Sequence, residues 1–410
     1  MGVPEHVLVV GAGLGGLRTV EDLRRAGYEG RIGLVGAEDA LPYDRPPLSK
    51  QYLAGERDRA AIDLTTADDL DELGVRLHLG RAAVALRPGA DGHEVELDDG
   101  SALHADAVVL AVGAAARAPD GGAGVHVLRT ADDAGTLRAA LATASSLLVV
   151  GAGFVGAEVA STATAAGIPV TVLEAAPVPL ARALGAQVGA LAARLMTEGG
   201  VDLRCNARIT ALSGTGAESA DGSTVTADVV VAGIGTRLDL GWLDGTGVDL
   251  SGGIPCDTRG RVEGLDGVWA VGDAAAWTDP VHGDRPRHEH WTSATDQAAA
   301  VARDIAGDVA GAGLPPQAVP YVWSDQFGLK IQLIGRPELA DAVLPLHGEA
   351  FGDDGDTGGP IRGTVVGYLS GGELVAVAGF GAARRIARYR RPLAERASRD
   401  AVLAFRDALG

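Results

Sequence analysis

The sequence predicts an α/β protein with two Rossmann-like dinucleotide-binding domains, the first discontinuous in the chain, and a C-terminal α+β domain. Three observations carry this. An apolar strand running into a Gly-x-Gly-x-x-Gly loop occurs twice, as Val7-Leu8-Val9-Val10-Gly11-Ala12-Gly13-Leu14-Gly15-Gly16 and as Leu147-Leu148-Val149-Val150-Gly151-Ala152-Gly153-Phe154-Val155-Gly156. A second pair of segments, Asp106-Ala107-Val108-Val109-Leu110-Ala111-Val112-Gly113 and Asp228-Val229-Val230-Val231-Ala232-Gly233-Ile234-Gly235, ends each unit with an acid, an apolar strand and a glycine. The remainder, 321–410, has strand-like runs and an arginine-rich helical stretch but no third glycine loop.

Each repeat fits a βαβ unit. In the first, strand Val7–Val10 leads to a helix over Leu14–Ala26, closed by Gly27, and to a strand over Arg31–Val35. In the second, strand Leu147–Val150 leads to a helix over Val155–Ala166, closed by Gly167, and to a strand over Pro169–Leu173. Short apolar strands without alternation suit a parallel sheet covered on both faces. The expected boundaries are 1–115 and 245–320 for the first dinucleotide domain, 116–244 for the second and 321–410 for the last. In the last, Lys330–Ile334, Thr364–Leu369 and Leu374–Ala378 read as strands, and the acidic run from Gly352 to Gly359 reads as a flexible loop.

Composition narrows the function. A formal charge of −19 disfavours nucleic acid, whose phosphates require a basic surface. The 2 cysteines, Cys205 and Cys256, lie apart and outside any metal-ligand spacing, so no metal site, iron–sulfur cluster or dithiol is expected. No apolar run is long enough to span a membrane, and no secretory leader is evident, which points to the cytoplasm. Of 35 basic residues only Lys50 and Lys330 are lysine, a bias that singles out both.

The glycine loops carry the chemistry. The first glycine makes the turn, the second admits a pyrophosphate to the backbone N–H groups, and the third packs helix on strand. An acid ends the next strand in both copies, Glu38 in the first and Glu174 in the second, placed to accept hydrogen bonds from a ribose. A carboxylate at Glu174 favours a free 2′-hydroxyl over a 2′-phosphate, hence NADH over NADPH, with Arg182 the nearest basic residue that could oppose this. Trp269-Ala270-Val271-Gly272-Asp273 is like the late Gly-Asp signature of flavoproteins, whose Asp holds the ribityl chain. This gives FAD to Gly11, Gly13, Gly15 and Gly16, and NADH to Gly151, Gly153 and Gly156, with Gly235 bordering the second site.

Several segments carry a closer resemblance: Pro42-Tyr43-Asp44-Arg45-Pro46-Pro47-Leu48-Ser49-Lys50, Leu128-Arg129-Thr130-Ala131-Asp132-Asp133-Ala134, Arg287-His288-Glu289-His290-Trp291 with Ala294 and Gln297, and Trp323-Ser324-Asp325-Gln326. The chain resembles the FAD-dependent NAD(P)H:ferredoxin reductases of the putidaredoxin reductase and aromatic-dioxygenase type. That resemblance implies that Lys50 lies beside the flavin with Glu158 as its carboxylate partner, and that Arg45, Ala83, Arg129, Asp273 and Trp291 contact FAD. It also implies a [2Fe-2S] ferredoxin as acceptor, reduced twice in turn after hydride passes from NADH to FAD. Disulfide reductases of similar layout carry a cysteine pair after the first βαβ unit; Pro42 to Leu53 here has no cysteine, so electrons would leave the flavin directly.

An acidic carrier needs a basic surface on this acidic chain. Arg384, Arg385, Arg388, Arg390 and Arg391 form the densest basic cluster, with Arg384, Arg388 and Arg391 expected on one helical face. Tyr321 and Trp323 alternate onto one side of a strand, where they could border the flavin. Two rivals share the layout: an NADH oxidase or diaphorase using small acceptors, and a redox-responsive interaction protein like apoptosis-inducing factor.

Overall fold

The computed structural model describes residues 2–307, 319–351 and 357–409. Residues 352–356, most of the acidic loop expected from the sequence, lie outside these. The chain packs as two compact units, one formed by 1–44, 62–115 and 237–320, the other by 45–61, 116–236 and 321–410.

In the first unit a five-stranded parallel sheet has the order Val268–Ala270, Ala107–Leu110, His6–Val10, Arg31–Gly36, Val75–Leu79. Val7 pairs with Ile32 on one side and Ala107 on the other. The strand order reverses direction at His6–Val10, and the glycine loop leaves that strand at the switch point, where α/β sheets open a ligand crevice. The helix Leu14–Arg25 buries Leu17, Val20 and Leu23 completely against the sheet. Each such side chain contributes roughly 1.5–3 kcal/mol of hydrophobic stabilisation. Both glycine-loop helices begin and end within a residue of the expected limits, the second running over Phe154–Ala165.

The second unit repeats the plan. Its parallel sheet has the order Asp202–Arg204, Val170–Leu173, Leu147–Val150, Val229–Ala232. It also holds an antiparallel five-stranded sheet, ordered Tyr321–Gln326, Leu329–Gly335, Glu373–Phe380, Thr364–Ser370, Ala342–His347. The two sheets are linked through the helical segment Ala181–Glu198, which breaks at Gly185. Leu184, Val188, Leu191 and Leu195 of that segment share one core with Ile331, Val366, Tyr368 and Ala378 of the antiparallel sheet. The Tyr368 hydroxyl donates to the Leu184 carbonyl at 2.9 Å. The C-terminal sheet therefore buries its inner face against the second nucleotide-binding half rather than forming a separate core.

The arginine-rich stretch differs from the single helical face expected for it. It forms two short helices, Ala383–Arg388 and Arg390–Ala394. Pro392 is the cause: it has no N–H for the Arg388 carbonyl, and its ring would clash there, so the first helix stops at Arg388. Arg391 belongs to the next helix and pairs with Glu395 at 2.8 Å.

Candidate functional site

In the first unit the glycine loop is set by two steric demands. Gly11 has φ +116°, and a Cβ there would lie 2.2 Å from the Ala111 carbonyl oxygen. A Cβ on Gly16 would sit 1.9 Å from the Gly11 carbonyl oxygen, so any side chain would drive helix from loop. Gly13, by contrast, has no neighbour within 4 Å of its Cβ position. It caps the helix Leu14–Arg25 without a side-chain hydrogen bond, so the first-turn N–H groups face outward as donors. That is the donor set a pyrophosphate requires, and these residues fit FAD. Glu38 accepts from the Tyr43 hydroxyl at 2.5 Å, which holds its carboxylate at the end of the second strand.

Four further predicted residues, Gly272, Asp273, Trp291 and Ala83, stand in the same unit. The Gly272 N–H donates to Gln297 Oε1 at 2.8 Å, and a Cβ on Gly15 would touch Val271 at 3.3 Å and Ala294 at 3.9 Å. Gln297 and Ala294 thus seat the Gly-Asp turn against the first glycine loop. The Asp273 carbonyl accepts from Arg287 at 2.5 Å. Trp291 opens the helix Trp291–Ala306 and donates its indole N–H to Asp44 at 2.9 Å. Asp44, within the Pro42–Lys50 segment, is thus an anchor whose role no local spacing signals. Ala83 begins an antiparallel strand and pairs with Leu97.

The second glycine loop repeats the geometry. A Cβ on Gly156 would lie 2.0 Å from the Gly151 carbonyl oxygen, and Gly153 caps Phe154–Ala165 with no side-chain hydrogen bond. Glu174 accepts from the Ala152 N–H at 2.6 Å and from the Ala176 N–H at 2.7 Å. The carboxylate therefore ties the loop to the turn that follows its own strand, and the residues fit a nicotinamide dinucleotide. Arg182 is exposed on the first turn of Ala181–Glu198. Gly235 accepts from the Arg117 N–H at 3.0 Å; beside it Ile234 is 38% exposed, and Val155 of the loop is 41% exposed, large apolar side chains left at the mouth of this half.

Lys50 and Glu158 meet in the second unit. Lys50 ends the short helical turn Pro46–Ser49, and its ammonium lies 2.6 Å from Glu158 Oε2, with side-chain exposures of 12% and 7%. Arg45, at the start of that turn, donates to the Arg129 carbonyl. Arg129 itself is held by a capping box: Thr130 caps the helix Ala131–Leu141, and the Asp133 carboxylate accepts from the N–H groups of Arg129 and Thr130. The Thr-x-x-Asp spacing was readable in the sequence. Thr130→Ala is expected to lower stability by about 1 kcal/mol, checked by urea unfolding of the flavin-loaded protein.

The Tyr321 and Trp323 rings stack at 5.8 Å with planes 22° apart. The Arg390 guanidinium lies 5.5 Å from the Tyr321 ring centre, and the Lys330 ammonium 5.9 Å from that of Trp323. Arg384 and Arg388 are exposed on Ala383–Arg388. Neither cysteine is activated, since burial pushes both thiols upward, Cys256 most strongly. Among the described residues no cluster of three or more His, Cys, Asp or Glu side chains could hold a metal ion, and no helix is long and apolar enough to cross a membrane.

Two glycine-loop sheets, each with an acid after its second strand, define an oxidoreductase that handles two dinucleotides. Residues 5–298 match the model of the pyridine nucleotide-disulphide oxidoreductase family, and 321–408 match that of the reductase C-terminal domain. The chain belongs to the pyridine nucleotide-disulphide oxidoreductase family. It is 36% identical to rhodocoxin reductase of Rhodococcus erythropolis, over 82% of this chain and 79% of that one. It is 35% identical to the anthranilate 1,2-dioxygenase system ferredoxin–NAD(+) reductase component of Burkholderia cepacia, over 96% of this chain and 95% of that one. The crystal structure of the covalent putidaredoxin reductase–putidaredoxin complex superposes with a TM-score of 0.89 at 28% identity, covering 99% of this chain and 98% of that one.

Proposed function

We propose that this chain is an NADH-dependent ferredoxin reductase: it takes hydride from NADH onto FAD and passes single electrons to a [2Fe-2S] ferredoxin that serves an oxygenase. The observation that carries the reading is the doubled nucleotide half without a cysteine between Pro42 and Leu53. FAD supplies the conversion of a two-electron donor into one-electron steps. The relatives with which the chain shares its length are named as ferredoxin–NAD(+) reductase components, which supports the acceptor.

The chain's own residues would divide the work. In 1–115 and 245–320, Gly11, Gly13, Gly15 and Gly16 would present N–H donors to the FAD pyrophosphate, Glu38 would take a ribose, and Asp273 and the first turn at Trp291 would orient the rest. In 116–244, Gly151, Gly153 and Gly156 would hold the NADH pyrophosphate, and Glu174 its adenosine ribose. Lys50 would place a fixed positive charge toward the reacting end of the flavin, where negative charge develops as hydride arrives, with Glu158 holding the ammonium in place. In 321–410, the stacked Tyr321 and Trp323 with Arg384 and Arg388 would receive the ferredoxin, a local basic surface on a chain of net −19. Two unpaired cysteines support a reducing compartment, the cytoplasm.

The expected result is a purified protein with one FAD per chain, bleached by NADH without oxygen and recoloured faster by a [2Fe-2S] ferredoxin than by oxygen. A protein without flavin, or one that reduces oxygen faster than any ferredoxin offered, would overturn the reading.

A further inference from the structure

The Glu158 side chain is buried, 7% exposed, yet it takes donors from two segments of the second unit that lie far apart in sequence. Lys50 reaches Oε2 at 2.6 Å, the Ser49 hydroxyl reaches the same oxygen, and the Ser324 hydroxyl reaches Oε1 at 2.5 Å. Ser324 is fully buried, and its oxygen lies 2.8 Å from the amide nitrogen of Gln326, itself 1% exposed.

The proton positions follow from the inventory of donors. An amide NH2 only donates, so the Ser324 oxygen must accept from Gln326, and its single proton is left for Glu158. The opposite amide orientation would claim that proton for Gln326 and leave Glu158 Oε1 against a bare hydroxyl oxygen. At Ser49 the logic repeats: the Lys50 ammonium lies 3.4 Å from its oxygen, which sends the hydroxyl proton to Oε2. Both oxygens of Glu158 thus face donors only, an arrangement that suits the ionised carboxylate and fixes its plane. The clamp comes from the C-terminal sheet: along Tyr321–Gln326, Ser324 and Gln326 point inward while Tyr321 and Trp323 share the other face.

We propose that Ser324, oriented by Gln326, is a positioning residue for Lys50: its hydroxyl holds the Glu158 carboxylate in the one orientation that aims the ammonium. The proposal rests on the reading that the Lys50–Glu158 pair serves the bound flavin. A hydroxyl in this role acts on the charge near the flavin, not on nucleotide affinity.

The test uses the flavin-loaded protein with Ser324→Ala, Ser324→Thr, Glu158→Gln and the double variant Ser324→Ala/Glu158→Gln. The flavin absorption band, the rate of flavin reduction at saturating NADH and the KM for NADH are measured. Ser324→Ala is expected to slow reduction about tenfold, with KM unchanged within about twofold, because a hydrogen bond to a charged group is lost. It is also expected to shift the flavin band, and Ser324→Thr to restore both. In the Glu158→Gln background Ser324→Ala should change nothing further. A full additional loss there, an unchanged rate and band in Ser324→Ala, or no recovery with threonine would overturn the positioning role. If Ser324→Ala does not fold, Gln326→Leu, which removes only the orienting donor, is judged by the same criteria. An unchanged rate and band in Glu158→Gln would overturn the reading of the pair and the positioning role with it, whereas a slowed Glu158→Gln beside an unaffected Ser324→Ala overturns only the latter.

Discussion

Replacing Lys50 with methionine is expected to slow the reduction of bound FAD by NADH about 100- to 1,000-fold, the usual effect of removing one preorganised charge from a reacting centre. The geometry sets the size of the effect. The Lys50 side chain is only 12% exposed, so the field of its ammonium is little screened by water, and Glu158 at 2.6 Å keeps it from swinging away. Arginine should not substitute: its planar fork is larger than the point charge, and two of its N–H groups would compete for the oxygens that Ser49 and Ser324 already engage. Methionine keeps the unbranched side chain as far as Cε and removes only the ammonium, so FAD content should hold. The Glu158 carboxylate would remain with its two hydroxyl donors, and some loss of stability is expected from a buried charge without its partner. Lys50→Met/Glu158→Gln removes that charge and should recover stability without recovering rate. Anaerobic stopped-flow bleaching of the flavin decides the matter; a rate within about threefold of the parent would remove Lys50 from the reacting centre.

The parts of this molecule that could be read from sequence are those whose cause is local. A strand, a glycine loop and a helix lie within a dozen or so residues of each other, and the steric demands at Gly11 and Gly16 arise inside that span. Doubling at Gly151 and Gly156 fixed the second sheet in the same way. The edge strand Ala342–His347 has a weak sequence signal because Pro345 breaks the apolar run, and an edge strand is where a sheet tolerates a residue with no N–H. The opposite error came from Pro392: arginine spacing suggested a continuous helical face, while the proline that ends the helix lay within the same stretch.

The clamp on Glu158 shows what spacing cannot supply. Glu158 and Ser324 are 166 residues apart, and Ser49 is 109 from Glu158 on the other side. Ser324 and Gln326 alternate with Trp323 and Asp325, a pattern that ordinarily puts the polar pair toward water and the tryptophan inward. Here the polar pair is inward, since it has a buried carboxylate to satisfy, and the aromatic pair lies on the other face with Arg390 and Lys330. Only the placement of Glu158 on the helix Phe154–Ala165 reveals which face of the strand is the inner one.

Glu174→Ala is expected to raise the KM for NADH about 10- to 100-fold and to reduce the preference for NADH over NADPH by at least about tenfold, because the site loses a partly buried acceptor that pairs with a 2′-hydroxyl and repels a 2′-phosphate. The ribose hydroxyl is one reason. The structure adds a second, because both carboxylate oxygens already accept backbone N–H groups, from Ala152 in the glycine loop and from Ala176 in the turn beyond. A carboxylate has about four acceptor positions, so these two bonds leave capacity for a 2′-hydroxyl while fixing where that capacity points. Alanine would strip both N–H groups of their acceptor and slacken the loop that receives the pyrophosphate, so affinity for either nucleotide should fall. NADPH should fall less, because the carboxylate that repels its 2′-phosphate is gone and Arg182 is exposed on the first turn of the following helix. Glutamine separates the two roles: it retains one acceptor oxygen but turns an NH2 toward a backbone donor, so it should loosen the loop almost as much while removing the repulsion. Steady-state kcat/KM for both nucleotides on the three proteins measures this, and an unchanged ratio in Glu174→Ala would take the choice of nicotinamide away from this residue.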